Sequence, residues 1–329
     1  MTVFRMRANT SALRDFVVKR PSLKRICGKL LHNARTVTAL ALHPKSTVKR
    51  LWFRHKHRSK PPHDILCWRR GCAIKLRSNS VLAELLYVGV GFEEAESTVL
   101  RTITKQAMTV FDVGANVGVH TVVLAKIVGP NGRVFSFEPC PTTAAYLRAN
   151  VQLNELSNVE VVSAALSDVG GEVDFFVFDD GNDVYNSLGA QVRPVEGLRA
   201  KATINVRAIT LDVFCKSNNI EHIDVLKLDV EGAEEKVING GMGIIGRSRD
   251  LAIVAEVCDR SAVQCGCSSR RLVQHLIDMG FKAFRIGPDV LTAVAGLDSF
   301  IPGSYVFSRS TGRLLAAGKR GLRGRELVE

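Results

Sequence analysis

The sequence has 329 residues, of which 46% are hydrophobic, and a formal net charge of +13. A chain of this length can form one core of roughly 200 to 250 residues with an appendage, so it predicts one or two folded units. No apolar run approaches the roughly 18 to 20 residues that cross a bilayer. Charged residues also interrupt every apolar stretch before residue 60, so the pattern indicates neither a membrane-spanning segment nor a secretory signal.

The positive charge is concentrated near the N-terminus. Residues 1–78 contain 20 Lys and Arg against 2 Asp and Glu, whereas residues 79–329 contain 25 against 30. A basic arm of this kind can contact anionic lipid, nucleic acid or acidic glycans through the same non-specific field, or it can stay solvated. An organelle transit peptide has a similar composition, so that alternative stays open.

Residues 1–63 are predicted to form a basic amphipathic extension that ends in a linker. Apolar residues between Leu13 and Leu31 recur at helical spacing on both sides of Pro21, with Lys and Arg between them, which predicts one or two short helices. Such helices can lie on an anionic membrane surface or pack on the following domain, and the pattern favours neither. Residues 54–63 contain two prolines and no apolar periodicity, so we expect a linker there.

The cysteines show no pattern that is typical of a metal site. The chain has neither a Cys-x-x-Cys pair nor a paired Cys/His zinc spacing among its eight cysteines, at positions 27, 67, 72, 140, 215, 258, 265 and 267. This predicts mostly free thiols in a reducing compartment. We therefore expect a cytoplasmic protein, which would be membrane-peripheral if the basic arm binds lipid.

The stretch from Val110 to Gly118 organises the rest of the chain. It begins as a short apolar strand, reaches Asp112, and turns through Gly114 and Gly118 into a helical run. Glycines in such a turn let the backbone bend tightly and approach a ligand without interference from a Cβ atom. The turn therefore predicts a cofactor site.

The charges around this turn indicate the class of cofactor. A pyrophosphate would lie at the helix N-terminus, where a carboxylate such as Asp112 opposes it. The same carboxylate suits a ligand with an ammonium group, such as the methionyl end of S-adenosylmethionine. A second strand ends at Glu138, 24 residues after Gly114, and an acid about 20 residues past such a turn accepts hydrogen bonds from ribose hydroxyls.

Four motifs together resemble those of a known family. They are Asp-Val-Gly-Ala-Asn-Val-Gly (112–118), Phe-Glu-Pro (137–139), Thr-Leu-Asp (210–212) and Lys-Leu-Asp-Val-Glu-Gly-Ala-Glu (227–234). In this order they resemble the FkbM family of S-adenosylmethionine-dependent methyltransferases, and the similarity runs from about residue 68 to residue 307. The resemblance implies O-methylation of a hydroxyl on a sugar, glycolipid or natural product. It also implies that the cofactor is held by Asp112, Gly114, Asn116, Gly118 and Glu138.

A nucleic-acid methyltransferase recruited by the basic arm is the alternative function. The first 78 residues contain no RNA-binding module, and the core lacks an amine pocket of the Asn-Pro-Pro-Tyr kind. We therefore expect a small-molecule or glycan acceptor and do not expect a nucleic-acid partner.

Strand and helix patterns alternate from residue 109 onward, which predicts an α/β fold with a parallel sheet. The resemblance implies a class I, Rossmann-like sheet of seven strands, mostly parallel, with helices on both faces and an antiparallel edge strand. This domain is predicted to span residues 64–310, before a basic tail at residues 311–329. An additional strand is expected at residues 172–178.

Three segments receive roles from the resemblance alone. Residues that follow the third core strand line the adenine in class I methyltransferases, so Ala165 and its neighbours Ala164 and Leu166 are implied there, with turn contacts as the alternative. Residues 186–188 form a small polar patch that could face the acceptor. Glu93 and Glu94 fall on the substrate side in the family, but a solvated helix start is the favoured interpretation.

The catalytic residues are expected at the end of the fourth core strand. Asp229 and Glu231 are two residues apart, so in an extended strand their side chains point to the same side, and either can act as general base for an alcohol. Asp229 is also expected to contact the cofactor, and Lys227 to reach these acids. His120, in the first turn of the cofactor helix, is a further candidate base. Asp229, Glu231 and Glu256 could hold a divalent cation, but nothing fixes its geometry, and no metal is expected.

Overall fold

A computed structural model describes residues 44–58, 64–88, 93–178, 181–189, 192–193, 198–287, 290–294, 296–310, 312 and 314. The helices expected between residues 13 and 31 and nearly all of the predicted basic tail lie outside these ranges. No helix within them has the length and apolar character that a bilayer span requires. The chain divides into two units, residues 1–67 with 77–92 and residues 68–76 with 93–329.

The smaller unit contains helices α1 (Pro44–Arg58) and α2 (Val81–Val88) and most of strand β1 (Asp64–Arg69). The predicted linker at residues 54–63 is wrong for its first five residues, because α1 continues to Arg58. The helix is stabilised by Phe53, whose buried ring packs on Tyr87 of α2 at 5.0 Å. Arg54 also pairs with Glu84 of α2 at 2.8 Å. Sequence periodicity within residues 54–63 could not reveal these contacts to a later helix.

The first half of the larger unit alternates strands and helices. Its elements are β2 (Cys72–Arg77), α3 (Glu94–Ile103), β3 (Thr109–Val113), α4 (Val119–Val128), β4 (Arg133–Phe137), α5 (Pro141–Leu153) and β5 (Val159–Val162). Then come the strands β6 (Ala165–Leu166), β7 (Gly171–Val177), β8 (Val192–Arg193), β9 (Leu198–Arg199) and β10 (Ala202–Ile209).

The second half returns to alternation and ends in antiparallel strands. Its elements are α6 (Leu211–Ser217), β11 (Val225–Leu228), α7 (Glu234–Asn239), α8 (Met242–Arg247), β12 (Ala252–Val257), α9 (Asp259–Gln264), α10 (Ser269–Asp278), β13 (Lys282–Ile286), β14 (Leu291–Ala293) and β15 (Gly303–Ser308).

Among the described residues the main sheet has eight strands in the order β14-β13-β15-β12-β11-β3-β4-β5. The five strands from β12 to β5 are parallel, and β15 is antiparallel to both of its neighbours. The predicted α/β fold with a mostly parallel sheet is confirmed. Two details differ: β15 lies inside the sheet, between β12 and β13, and a short eighth strand, β14, pairs with β13 at the edge. A strand of three residues is too short for its side-chain alternation to be read from sequence.

Helices cover both faces of this sheet, as predicted. Successive strand residues point to opposite faces, so on β3 Val110 contributes to one apolar cluster and Phe111 to the other. The Phe111 face is centred on Phe214 of α6, whose ring meets Phe111, Phe135 and Phe137 edge-on at 5.9, 5.4 and 4.8 Å. The other face packs α3 and α4 through Leu100 and Leu124.

The strand order creates a crevice at the carboxyl ends of β3 and β11. From β3 the chain proceeds to β4 and β5 on one side, and later to β11 and β12 on the other. In open α/β sheets, ligands bind where the strand order reverses in this way. The residues that follow β3 and β11 are therefore the ones that the fold places at a ligand site.

The aromatic cluster under α6 predicts that substitutions of two neighbouring residues of that helix change the free energy of unfolding by very different amounts. Phe214→Ala should lower the free energy of unfolding by about 3 to 5 kcal/mol, because it removes a buried ring and leaves a cavity. Val213 is 57% exposed, so Val213→Ala should change the free energy of unfolding by less than about 0.5 kcal/mol. Urea unfolding of both variants measures the difference, and equal losses would contradict the packing described here.

Candidate active site

The turn after β3 brings the ends of β3 and β11 into contact. Gly114 has a φ of +75°, and a Cβ atom there would lie 1.8 Å from the backbone oxygen of Asp229. The N–H groups of Gly114 and Ala115 donate to the carbonyl of Phe137 at 3.1 and 2.9 Å, which fixes the turn to the end of β4. Glycine is needed at position 114 because the backbone of residue 229 occupies the space of a side chain.

Asp112 and Lys227 form a buried ion pair between these two strands. Asp112 is fully buried, and its Oδ2 accepts a hydrogen bond from Thr121 Oγ1 at 2.7 Å. Its Oδ1 lies 3.4 Å from Lys227 Nζ. Lys227 Nζ also lies 3.2 Å from Asp229 Oδ2 and donates to the carbonyl of Gly114 at 3.3 Å. The expectation that Lys227 reaches the acids is confirmed for Asp229, and the ammonium beside Asp112 is that of Lys227.

The charge state of Lys227 follows from its two carboxylate partners. Burial alone lowers the pKa of an ammonium, but Asp229 and Asp112 raise the pKa of Lys227 by more than burial lowers it. Lys227 is therefore cationic at neutral pH. A cation at this point orients the Asp229 carboxylate at the crevice.

Glu138 follows β4 with its carboxylate held by backbone amides. Oε2 accepts from the N–H of Asn116 at 3.0 Å, and Oε1 accepts from the N–H of Cys140 at 2.9 Å. Burial raises the pKa of Glu138 to about 7, although these two amides act in the opposite direction. A carboxylate oxygen can accept two hydrogen bonds, so each oxygen keeps acceptor capacity for a ligand hydroxyl. This arrangement fits the predicted ribose contact.

Asn116 and Gly118 shape the remainder of the turn. Asn116 has a φ of +50°, and its Oδ1 accepts from the N–H of Val117 at 2.7 Å, which is a local turn contact. Gly118 has a φ of +90° and precedes α4, and a Cβ there would lie 2.4 Å from Leu147 Cδ1. Within the described residues no side chain caps α4 at Gly118. Their contacts with a cofactor stay predictions.

Ala165 lies in β6, in the small sheet that β6 forms with β10 and β7. It is buried and packs with Cys140, Phe175 and Val206. Cys140 is two residues after Glu138, so the structure places Ala165 beside the segment that contains the residue predicted to bind the ribose. The contact of Ala165 with adenine stays a prediction.

His120 and Glu93 form a close pair near Asp229. His120 Nε2 lies 2.6 Å from Glu93 Oε2, and only 8% of the His120 side chain is exposed. The interpretation of Glu93 as a solvated helix start is therefore wrong, whereas Glu94 pairs with Arg70 and is more exposed. Glu93 and His120 are 27 residues apart, and no sequence periodicity links positions so far apart.

Asp229 follows the last residue of β11 and is surrounded by charge. Burial raises the pKa of Asp229, Lys227 lowers it, Glu93 raises it and His120 lowers it. Both members of the His120–Glu93 pair therefore act on this carboxylate. A raised carboxylate pKa increases its basicity, which suits a group that accepts a proton.

The geometry predicted for Glu231 is wrong. The extended alternation that would place Glu231 on the same side as Asp229 ends at Leu228, and Glu231 has a φ of +56° in a tight turn. Gly232 follows with a φ of +111°, where a Cβ atom would lie 2.3 Å from the backbone oxygen of Ser261. The strand ends one residue before Asp229, so the period of two does not extend to Glu231. A catalytic role for Glu231 stays a prediction.

Two further acids line the neighbouring strand ends. Glu234 Oε1 accepts from the N–H groups of Val230 and Gly232 at 3.1 and 3.2 Å, and burial raises the pKa of Glu234 to about 7. Glu256 follows Ala255, which pairs with Leu228, so Glu256 is beside Asp229. Partial desolvation and the charge of Asp229 raise the pKa of Glu256 to about 7, although the residue is exposed to solvent. No three His, Cys, Asp or Glu side chains of the described residues are grouped for metal binding.

A family model for the methyltransferase FkbM domain matches residues 112–282 of the chain. The match begins at Asp112 and includes the turn after β3, Glu138 and the segment from Lys227 to Glu234. It therefore covers the residues that form the crevice.

Two curated relatives show similarity over slightly less than half of the chain. The 2-O-methyltransferase NoeI of Sinorhizobium fredii is 28% identical over 159 residues, which cover 46% of this chain and 64% of NoeI. The hexuronic acid methyltransferase AglP of Haloferax volcanii is 26% identical over 148 residues, which cover 44% of this chain and 56% of AglP. The chain thus spans less than two thirds of each relative.

Solved structures to which the chain shows some similarity include an O-methyltransferase from Bacillus cereus in complex with SAH. It has 15% sequence identity and a TM-score of 0.38, and the match covers 66% of this chain and 81% of that chain. The TYW2 protein of M. jannaschii in complex with AdoMet has 15% identity and a TM-score of 0.37, with 76% and 86% covered.

The contact at Gly114 predicts different outcomes for two glycines with similar backbones. Gly114→Ala should destabilise the protein by several kcal/mol, because its Cβ atom would overlap the backbone oxygen of Asp229. Gly71 has a similar φ of +78°, but a Cβ atom there would meet no other atom within 4 Å, so Gly71→Ala should cost only about 1 kcal/mol. Thermal and urea unfolding measure both. Equal losses would show that the left-handed φ, and not the contact, requires glycine.

The buried carboxylates predict that stability falls as pH rises. The pKa of Glu234 increases from 4.5 to about 7 on folding. Between these values the folded state keeps a proton that the unfolded state releases, so its contribution is present below pH 4.5 and is lost as pH rises through 7. Glu234→Gln keeps the Oε1 acceptor and should reduce this loss by up to about 3 kcal/mol.

Urea unfolding between pH 4.5 and 8 measures the effect of Glu234→Gln. Glu160→Gln, at an exposed position of β5, is the matched control and should leave the pH dependence of the parent unchanged. If the free energy of unfolding of Glu234→Gln changes with pH as steeply as that of the parent, Glu234 titrates alike in the folded and unfolded states.

Proposed function

Because this chain belongs to the FkbM methyltransferase family, we propose that it transfers the methyl group of S-adenosylmethionine to a hydroxyl group of a sugar or sugar-containing molecule. The observation that carries this proposal is the position of Asp229. Its carboxylate lies at the end of β11, its backbone touches the turn of Gly114, and Lys227 orients it.

The methyl donor is supported by the fit of the residues around the crevice. Glu138 has acceptor capacity on both oxygens, and its raised pKa indicates a carboxylate that hydrogen-bond donors would stabilise. Two ribose hydroxyls supply such donors. When bound, S-adenosylmethionine supplies an electrophilic methyl group on a sulfonium. We assign the ribose to Glu138 and the adjacent turn at residues 114–118 to the methionyl part.

The acceptor class is supported by the relatives. One is named a 2-O-methyltransferase and another a hexuronic acid methyltransferase, and an oxygen of a sugar is an acceptor consistent with both names. Nothing in the described residues favours the nucleic-acid alternative. We therefore keep a sugar hydroxyl as the acceptor.

Alignment and proton removal are the two contributions that the protein makes. Correct alignment of acceptor and donor can lower the barrier by about 7 to 11 kcal/mol. An alcohol must also lose its proton as it attacks, and a positioned base accelerates that step by roughly 10² to 10⁴. Lys227 holds Oδ2 of Asp229 at 3.2 Å, so we assign the other oxygen of this carboxylate to the acceptor's proton.

His120 is the second candidate base, and its contact with Glu93 is the observation that favours it. The Glu93 carboxylate, 2.6 Å from Nε2 of His120, fixes the orientation of the imidazole ring. Glu93 would then act as a positioning residue for His120. Substitution of the true base should abolish the chemical step, so variants of Asp229 and of His120 distinguish the two candidates.

Asp229→Asn should slow single-turnover methyl transfer by about 10² to 10⁴ and leave the affinity for S-adenosylhomocysteine nearly unchanged. Methyl-labelled S-adenosylmethionine with cell glycolipid and polysaccharide fractions measures transfer, and calorimetry measures affinity. Asp174→Asn, at an exposed position of β7, is the matched control and should behave as the parent.

The variants His120→Asn and Glu93→Gln separate the two bases. If both lose the chemical step while Asp229→Asn retains it, His120 is the base. If Asp229→Asn loses cofactor affinity but keeps normal single-turnover chemistry, Asp229 binds the donor and does not accept the proton. If calorimetry of the parent protein detects no heat of binding with S-adenosylhomocysteine, the proposed cofactor itself is refuted.

A further inference from the structure

Helix α1 of the smaller unit presents an aromatic side chain to solvent. Trp52 is 38% exposed and stacks on Tyr87 of α2, which is also 38% exposed, with the ring centroids 5.5 Å apart and the planes inclined by 15°. Neighbouring residues of the same helix, Leu51 and Phe53, are buried. The apolar face of α1 is thus covered by the unit itself, and Trp52 and Tyr87 form a separate exposed pair.

Lysines flank this pair on the helix surface. Lys49 and Lys56 are exposed, three residues before and four residues after Trp52, so all three side chains share one face of α1. Lys56 Nζ lies 4.8 Å from the centroid of the Trp52 ring. We call Lys49, Trp52, Lys56 and Tyr87 the aromatic-lysine face.

The charge around this face is strongly positive. Residues 44–58 contain six Lys and Arg and no Asp or Glu. On α2, Glu84 pairs with Arg50 at 2.9 Å and with Arg54 at 2.8 Å, so its carboxylate is already engaged. The sequence before α1, residues 1–43, contains nine Lys and Arg and one Asp.

We propose that the aromatic-lysine face docks on an anionic phospholipid surface. Tryptophan and tyrosine rings have an apolar body and a polar edge, which suits them to the headgroup level of a bilayer. Lysines beside them are attracted to anionic headgroups, and their aliphatic stems can lie along the apolar boundary. The contact is peripheral and is independent of the methyl-transfer site.

The geometry of the pair favours lipid over nucleic acid. Proteins that bind single-stranded nucleic acid stack bases on open aromatic faces. Tyr87 is stacked on the Trp52 ring, and the Lys56 ammonium lies over the same ring, so a base that stacked on Trp52 would have to compete with these contacts. Trp52 is 38% exposed, and its exposed part can enter a headgroup layer.

Trp52 can report its own contact with lipid, because the chain has only two tryptophans, Trp52 and Trp68. In the full-length Trp68→Phe protein, Trp52 is the one indole fluorophore. Its emission should shift to shorter wavelength with vesicles of phosphatidylserine and phosphatidylcholine and should not shift with vesicles of phosphatidylcholine alone. Added salt should weaken the binding, since the attraction is electrostatic.

Two variants test the contributions of charge and ring in vesicle co-sedimentation. The double variant Lys49→Gln, Lys56→Gln should bind phosphatidylserine vesicles about 30-fold more weakly, and it leaves the packing of Phe53 and Leu51 intact. Trp52→Ala should bind roughly fivefold more weakly. The matched control is Lys201→Gln, Lys216→Gln, which neutralises two exposed lysines of the larger unit and should bind as the parent.

Three results would overturn the proposal. An unchanged Trp52 emission with phosphatidylserine vesicles would show that the face does not meet the bilayer. If the double variant Lys49→Gln, Lys56→Gln and the variant Trp52→Ala both bind vesicles as tightly as the parent, the attraction comes from other basic residues. Quenching of Trp52 by single-stranded RNA, with no response to vesicles, would make nucleic acid the partner.

Discussion

The position of Lys227 between Asp112 and Asp229 is the interaction on which the crevice depends. Burial of an ammonium group is costly unless carboxylates lie close to it, and here one carboxylate comes from each of two adjacent parallel strands. Loss of either acid would leave the cation partly uncompensated, so the two strand ends are coupled through one side chain. The contact of Gly114 with the backbone of Asp229 brings the same two ends together. The main-chain contact and the ion pair therefore specify the same geometry.

The crevice combines one buried cation with an excess of acids, and this explains its electrostatics. Glu234 has a pKa near 7 mainly because it is buried, and Glu256, although exposed, reaches a similar pKa through partial desolvation and the carboxylates close to it. Glu138 reaches a similar pKa mainly through burial, on the other side of the turn. A ligand that brings positive charge or hydrogen-bond donors would relieve these costs. S-adenosylmethionine carries a sulfonium, an ammonium group and two ribose hydroxyls, so it has both properties. This is a physical reason for the crevice to prefer it as a ligand.

Sequence reasoning worked where the signal is local. The hydrophobic runs of β3, β4 and β11, with Asp112 near the end of β3 and an acid soon after β4 and β11, identified the strand ends, because parallel strands place their carboxyl ends at one edge. It failed where the determining contact is distant in sequence. Glu93 contacts His120 over 27 residues, and α1 extends through residues 54–58 because Phe53 and Arg54 meet α2. The wrong geometry for Glu231 has a different cause: the extended strand ends at Leu228, and Glu231 and Gly232 follow with positive φ in a turn.

Asp112 illustrates how a motif residue can act through another residue. Its place at the end of a glycine-flanked strand suggested direct contact with the ammonium of a cofactor, yet it is fully buried and faces Lys227 and Thr121. A carboxylate in that position holds the lysine that in turn orients Asp229 at the crevice. Its effect on a ligand is then transmitted through Lys227, whose ammonium is 3.4 Å from one acid and 3.2 Å from the other. The pairing of β3 with β11 is what brings Asp112, Lys227 and Asp229 together.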